Sequence, residues 1–157
     1  MRKQTILALA LLTLTGEVTA QSECPKPQLR VLREGKPVPL TGSAFASSVT
    51  LEVTPDPACS EPVRYRVSSA ELTLVRNRRP LLAALVAREP RVDLRPLASL
   101  CKPGDRIQVF IPYQNLTIVS ADGSRWPYPR PKLAKAGQFD LVTDESRGIS
   151  FSWLLLP

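Results

Sequence analysis

The chain is expected to fold as an all-β protein, a sandwich of short antiparallel strands. Three features of the sequence lead there. Apolar and polar residues alternate with period two over several runs, as half-buried strands require. Turn-forming Gly, Pro, Asp and Asn recur between those runs. Helical periodicity is scarce, and sixteen prolines punctuate the 157 residues. About eight short strands with little helix argue for two packed sheets that bury alternate side chains between them.

Residues 1–20 are expected to be a cleaved secretory signal. Arg2 and Lys3 open the chain, Ile6 to Leu14 form a short apolar run, and Val18-Thr19-Ala20 offers a small-residue cleavage site. The run is too short to span a bilayer, which takes about 20 apolar residues. Cys24 follows Gln21-Ser22-Glu23, which is not the small-residue context of a lipoprotein signal. Residues 21–157 are then one exported domain, periplasmic or extracellular, with no integral membrane segment.

The strands follow in order. Leu29 and Val31 alternate with charged neighbours, and Glu34-Gly35-Lys36-Pro37 turns the chain. Val49, Leu51 and Val53 alternate with Thr50, Glu52 and Thr54, and Pro55-Asp56-Pro57 ends that strand because proline lacks the amide a ladder needs. Tyr65 and Val67 alternate with Arg64 and Arg66, and Leu72 and Leu74 with Glu71 and Thr73. The Ser68-Ser69-Ala70 step between them shifts the phase by one residue, as a bulge does. Asn77-Arg78-Arg79-Pro80 reads as a loop. Leu81 to Ala87 is ambiguous between strand and a helix bounded by Pro80 and Pro90. Asp93 is placed to cap a short helix through Leu100, and Lys102-Pro103-Gly104-Asp105 breaks the chain.

Ile107, Val109 and Ile111 share one face of the next strand. Leu116 and Ile118 lead to Ala121-Asp122-Gly123-Ser124, a hairpin signal. Trp126-Pro127-Tyr128-Pro129-Arg130-Pro131 is held near polyproline II geometry and kept from any central strand. Residues 138–142 and 149–155 read as a closing antiparallel pair.

Composition excludes several chemistries. The chain has no histidine, so Ser-His-Asp and Cys-His catalysis, His-ligated zinc and an imidazole switch are ruled out. Cys24, Cys59 and Cys101 are too far apart in sequence for a Cys-x-x-Cys redox or metal motif. Export permits one disulfide among them, with three possible pairings and one thiol over. Such a bridge contributes about 3–4 kcal/mol on the chain-entropy model. Asp105 and Asp122 sit at turns and Asp144 and Glu145 in a loop, with no spacing that sets a carboxylate pair across a cleft. No catalytic residue, metal site or cofactor is expected.

The net charge is +7, and basic residues concentrate between Arg64 and Arg106. Two groups stand out as binding candidates. Trp126, Tyr128 and Arg130 combine the residue types that dominate protein-binding hot spots; the other reading of the segment is a rigid edge loop whose Trp covers the core. Arg76, Arg78 and Arg79 are placed to grip an anionic partner or to form a solvated loop tip. Nucleic acid is not expected as a partner, since no RNA-binding aromatic motif appears. Asn115-Leu116-Thr117 is a glycosylation sequon, but a strand location would hide it.

The stretch Arg64 to Val142 adds a family resemblance. A strand (RYRVSSAELTLV), a short helix (DLRPLASLC), the corner KPGDRI, a strand and SADGSR follow in order. The run resembles the C-terminal periplasmic domain of the GldM family of gliding motility and type IX secretion. Val67, Ser69, Lys102 to Ile107, Asp122, Gly123 and Arg125 occupy the matching positions. The resemblance implies an immunoglobulin-like sandwich of about seven to nine strands with one short helix. It also implies a non-catalytic role in the cell envelope, with protein partners, and structural roles for the matched residues. Family members are anchored rods, whereas this chain carries a cleavable signal, which fits a detached accessory or adhesion-type domain. The expected function is an exported interaction domain. The alternatives are a carbohydrate- or polyanion-binding module, with an anionic glycan as ligand, and a small hydrolase inhibitor that uses the proline-rich segment.

Overall fold

The computed structural model describes residues 26–59, 62–129 and 147–157. The signal segment 1–20, Cys24, Arg130 and the expected strand at 138–142 lie outside the described residues. Thirteen strands are present among those described, more than the seven to nine expected, because several two- and three-residue edge strands carry no sequence signal. They are β1 (Gln28–Arg33), β2 (Lys36–Pro37), β3 (Ser43–Ala44), β4 (Ser48–Thr54), β5 (Arg64–Val67), β6 (Ala70–Arg76) and β7 (Arg79–Pro80). The others are β8 (Leu85–Ala87), β9 (Arg91–Asp93), β10 (Arg106–Pro112), β11 (Leu116–Val119), β12 (Arg125–Pro127) and β13 (Gly148–Leu156). Two single turns of 3-10 helix, Arg95–Leu97 and Tyr113–Asn115, complete the described structure. The protein is all-β.

The strands form three sheets. The first runs β2-β1-β4-β9, the second β3-β13-β10-β6-β7 with β8 also on β6, and the third β12-β11-β5. Every pairing is antiparallel except β3 with β13. Alternation sets which residues go inside. Leu29 and Val31 of β1, Val49 and Leu51 of β4, and Val92 of β9 are buried, and so are Leu72 and Leu74 of β6. Ile107, Val109 and Ile111 of β10 face Trp153, Phe151 and Ile149 of β13 in register. Residues of the first and second sheets thus belong to one hydrophobic cluster, joined by Tyr113 of the second 3-10 turn and by Leu116 at the start of β11. Burying such a side chain contributes about 1.5–3 kcal/mol. Gly148 lies opposite Pro112 in the β10–β13 register. A Cβ there would collide with the Ile111 carbonyl and come within 2.9 Å of the Phe110 ring, so only glycine lets β13 start so close to β10.

Four local expectations change. The Ser68-Ser69 step is a crossover between sheets, not a bulge: β5 pairs with β11 while β6 pairs with β10. Asn115 holds this crossover, its Nδ2 donating to Ser69 Oγ at 2.9 Å, while Ser68 N donates to the Asn115 carbonyl. Of the Leu81 to Ala87 run only the last three residues are strand, β8 on the edge of β6, with Val86 opposite Glu71. Asn77-Arg78 is a two-residue hairpin turn joining β6 to β7, with φ of 50° and 64° at the two positions. The helix expected from Asp93 to Leu100 shortens to one turn. Leu94, not Asp93, takes the cap position; Asp93 accepts from the Arg95 amide at 3.0 Å, and most of its capacity goes to the Arg95 guanidinium.

Candidate functional site

Trp126 sits in β12, the edge strand of the third sheet. Hairpin geometry puts it there. Gly123 adopts φ 85°, Asp122 accepts hydrogen bonds from Ser120 Oγ and from Ser124 N, and Val119 then faces Arg125 across the turn. The Asp122 carboxyl is lowered to about 2 by those turn hydrogen bonds, Ser120 first. Trp126 pairs with Ile118, itself buried, and Ile118 pairs with Tyr65 of β5. The indole therefore lies on the inward side of the sheet but over its open edge, and the residue is 41% exposed.

The proline-rich segment is tied down as far as it is described. Tyr128 N donates to the Leu116 carbonyl at 3.0 Å, extending the β11–β12 pairing. The Tyr128 ring stacks on buried Tyr113 at 4.9 Å and tilts against Tyr65 at 6.2 Å. Burial pushes the Tyr128 and Tyr65 phenols up from their ordinary value, with the Tyr128 charge a lesser contribution at Tyr65. Tyr128 is thus a packing residue, and the pairing of Trp126 and Tyr128 as twin exposed anchors is corrected: only Trp126 presents a broad surface. Arg130, the third member of that group, lies outside the described residues.

Arg76, Arg78 and Arg79 do not form one cationic cluster. Arg76 makes a bidentate ion pair with buried Asp105, Nε to Oδ1 at 2.7 Å and Nη2 to Oδ2 at 2.8 Å, and also donates to the Leu100 carbonyl. Lys102 N donates to the same carboxylate at 2.8 Å. The Arg76 hydrogen bonds hold the Asp105 carboxyl below its ordinary value against the cost of burial. Arg76 therefore braces the corner that leads into β10. Arg78 and Arg79 stand exposed at the β6–β7 turn, on a different sheet from Trp126.

The remaining chemistry-bearing groups are also engaged or scattered. Asp56 accepts from Ala58 N and from Gln28, and Asp93 is lowered to about 2, chiefly by its Arg95 hydrogen bonds. Cys101 is a free, half-buried thiol whose pKa burial raises, with the Asp105 charge adding to the shift. Among the described residues no group of three or more Cys, Asp or Glu is arranged to hold a metal ion. No described helix is long and apolar enough to cross a membrane.

One assembly escaped the sequence reading. On the third sheet Arg64 and Arg125 flank Val119 from either side, and Arg66 and Pro127 flank Thr117. These residues share the face opposite Tyr65, Ile118 and Trp126, and all three arginines are exposed. The alternation of Arg64 and Arg66 with Tyr65 and Val67 marked the outward side of β5. What brings Arg125 beside them is the register of β11 between two strands about 60 residues apart, which no local pattern encodes. At the Arg64 end the face opens into a cleft of about 500 Å³ bounded by Pro62, Val119, Ser120 and Ala121.

No family model, curated protein or solved structure matches this chain.

Proposed function

We propose that this protein is a non-catalytic, exported interaction domain of the bacterial cell envelope, folded as a single immunoglobulin-like sandwich that docks a protein partner along β12. The observation that carries the reading is Trp126, exposed on an edge strand whose outer side has no neighbouring strand among the described residues. An open edge offers backbone groups for strand addition, and an exposed Trp beside it supplies the anchoring area. Support for the sandwich comes from the shared core of the first two sheets. Some of the positions on which the resemblance to the GldM C-terminal domain rests make structural hydrogen bonds or turns. Asp105 ties the corner, Ser69 the crossover, and Asp122 with Gly123 the hairpin. A non-catalytic role is supported by the described aspartates, each committed to an ion pair or a turn. Export rests on the signal-like residues 1–20. With Cys101 a free thiol, a bridge within the chain falls to Cys24 and Cys59.

The test uses the full chain displayed in its own cells and cross-linked in the envelope. Trp126→Ala is expected to lose the principal cross-linked protein while keeping the native circular dichroism and export. Truncating such an anchor typically costs 2 kcal/mol or more, roughly thirtyfold or greater in affinity. Recovery of the same protein in the same yield removes β12 as the docking edge.

A further inference from the structure

We infer that the outward face of the three-stranded sheet binds a linear anionic polysaccharide, with its sulfate or carboxylate groups resting on Arg64, Arg66 and Arg125. This surface is separate from the Trp126 edge and stands or falls independently of protein docking there.

The argument begins with the charge on each outward sheet face. On the four-stranded sheet the signs are mixed: Arg30 lies directly opposite Glu52 in the β1–β4 register, and Arg91 shares its strand with Asp93. On the six-stranded sheet Glu71 of β6 and Arg106 of β10 project to the same side. The three-stranded sheet carries one sign only. Its outward residues are Arg64, Arg66, Thr117, Val119, Arg125 and Pro127, with no carboxylate among them. The described ion pairs, Arg76–Asp105 and Arg95–Asp93, involve none of the three. Like charges gathered on one sheet face repel, so this arrangement favours an anion from outside.

Geometry narrows the kind of anion. Arg64 and Arg66 stand about 7 Å apart along β5, and Arg64 and Arg125 about 10 Å apart across β11, from ordinary strand dimensions. The charges are spread over a flat face, so a single small anion cannot reach all three, whereas a polymer charged at intervals can. Guanidinium forks match sulfate and carboxylate oxygens two at a time, and the Thr117 hydroxyl between Arg66 and Pro127 can bond a sugar hydroxyl. Single-stranded nucleic acid would want aromatic platforms for its bases, and the one exposed Trp of the sheet is on the other face. An acidic protein would want an apolar anchor pocket at the centre, where this face has only half-buried Val119. The cleft of about 500 Å³ that shares Arg64 and Val119 with the face has room for a sugar ring at one end.

The experiment titrates the full chain with heparin while amide resonances are recorded, then repeats the affinity measurement across a salt series. Signals of residues 64–66, 117–119 and 125 are expected to move. The combined Arg64→Gln, Arg66→Gln, Arg125→Gln variant is expected to lose about tenfold or more in affinity at about 0.15 M salt, and its dependence on salt is expected to flatten by about one unit of slope per arginine removed. The combined Arg30→Gln, Arg91→Gln, Arg106→Gln variant removes equal charge from the other two sheets and is expected to change affinity about threefold or less. The corresponding Arg→Lys triple at 64, 66 and 125 keeps charge and fold, and is expected to retain the salt slope. Equal losses in the two Gln triples would reduce the effect to net charge and overturn the site. So would resonance shifts confined to the other sheets. Tighter binding of single-stranded DNA or polyglutamate than of any sulfated or uronate polysaccharide would overturn the assigned ligand.

Discussion

Asp105 ties three segments together, two through its buried carboxylate and the third through its backbone carbonyl. It accepts from both guanidinium arms of Arg76 in β6 and from Lys102 N in the corner, while its own carbonyl accepts from Leu155 N of β13. Removing one member of such a pair leaves the other desolvated without compensation. Asp105→Asn is expected to lower the urea midpoint clearly at neutral pH, whereas Asp93→Asn, on an exposed pair, leaves it nearly unchanged. The pH dependence has a definite sign. Asp105 is held below the ordinary 3.8 in the folded state, and Asp93 and Asp122 are lowered to about 2. Their stabilisation is complete above the unfolded value and is lost as pH falls through the folded ones. The native midpoint is expected to drop as acid is added below pH 3.8, and Asp105→Asn to drop less steeply. A denaturation series at descending pH measures both. The residue itself was legible only as a turn aspartate after Lys-Pro-Gly. Its partner is 29 positions away, and nothing local in the sequence joins them.

At the scale of elements, alternation was a sound guide to β1, β4, β6, β10 and β13, because each buries one face and exposes the other. The Asp122-Gly123 hairpin was legible because glycine announces positive φ. The Asn77-Arg78 hairpin was not, because an arginine at φ 64° gives no such sign. That position carries a strain which glycine relieves, in a turn that favours Asn-Gly. Arg78→Gly is expected to raise stability by about 1 kcal/mol, read as a higher urea midpoint with an unchanged slope. A lower midpoint would show that the Arg78 side chain contributes more than its backbone costs. The β5-to-β6 step misled for another reason. A bulge and a change of sheet both shift the alternation by one residue, and only pairing partners distinguish them. The run Leu81 to Ala87 hid β8 because leucine and alanine favour helix, while β6 offered an unpaired edge to fill.

For the molecule as a whole, the all-β class followed from local pattern, but the assembly of sheets did not. The arginine face, the shared core and the Asp105 tie all depend on which distant strands meet, and pairing over long separations is fixed by the packed core rather than by any short segment. The proposed export is likewise tested on the entire chain. Protein isolated from the envelope without reductant and alkylated after unfolding is expected to begin at Gln21 and to carry one alkyl group, on Cys101. In the folded state that thiol is expected to react slowly, since burial raises its pKa. Two or three alkyl groups would remove the Cys24–Cys59 bridge, and an N-terminus at Met1 would remove the export signal.

Strand β13 lies between β3 and β10, so residues 148–156 fill the interior of a sheet whose other members all come earlier in the chain. Until that stretch arrives, Ile107, Val109 and Ile111 have no neighbour on one side, and the short β3 is cut off from the rest of the sheet. A polypeptide threaded through a translocation channel from its N-terminus would emerge with this slot vacant. It would stay pliable until residues 148–156 came through and lock shut only then.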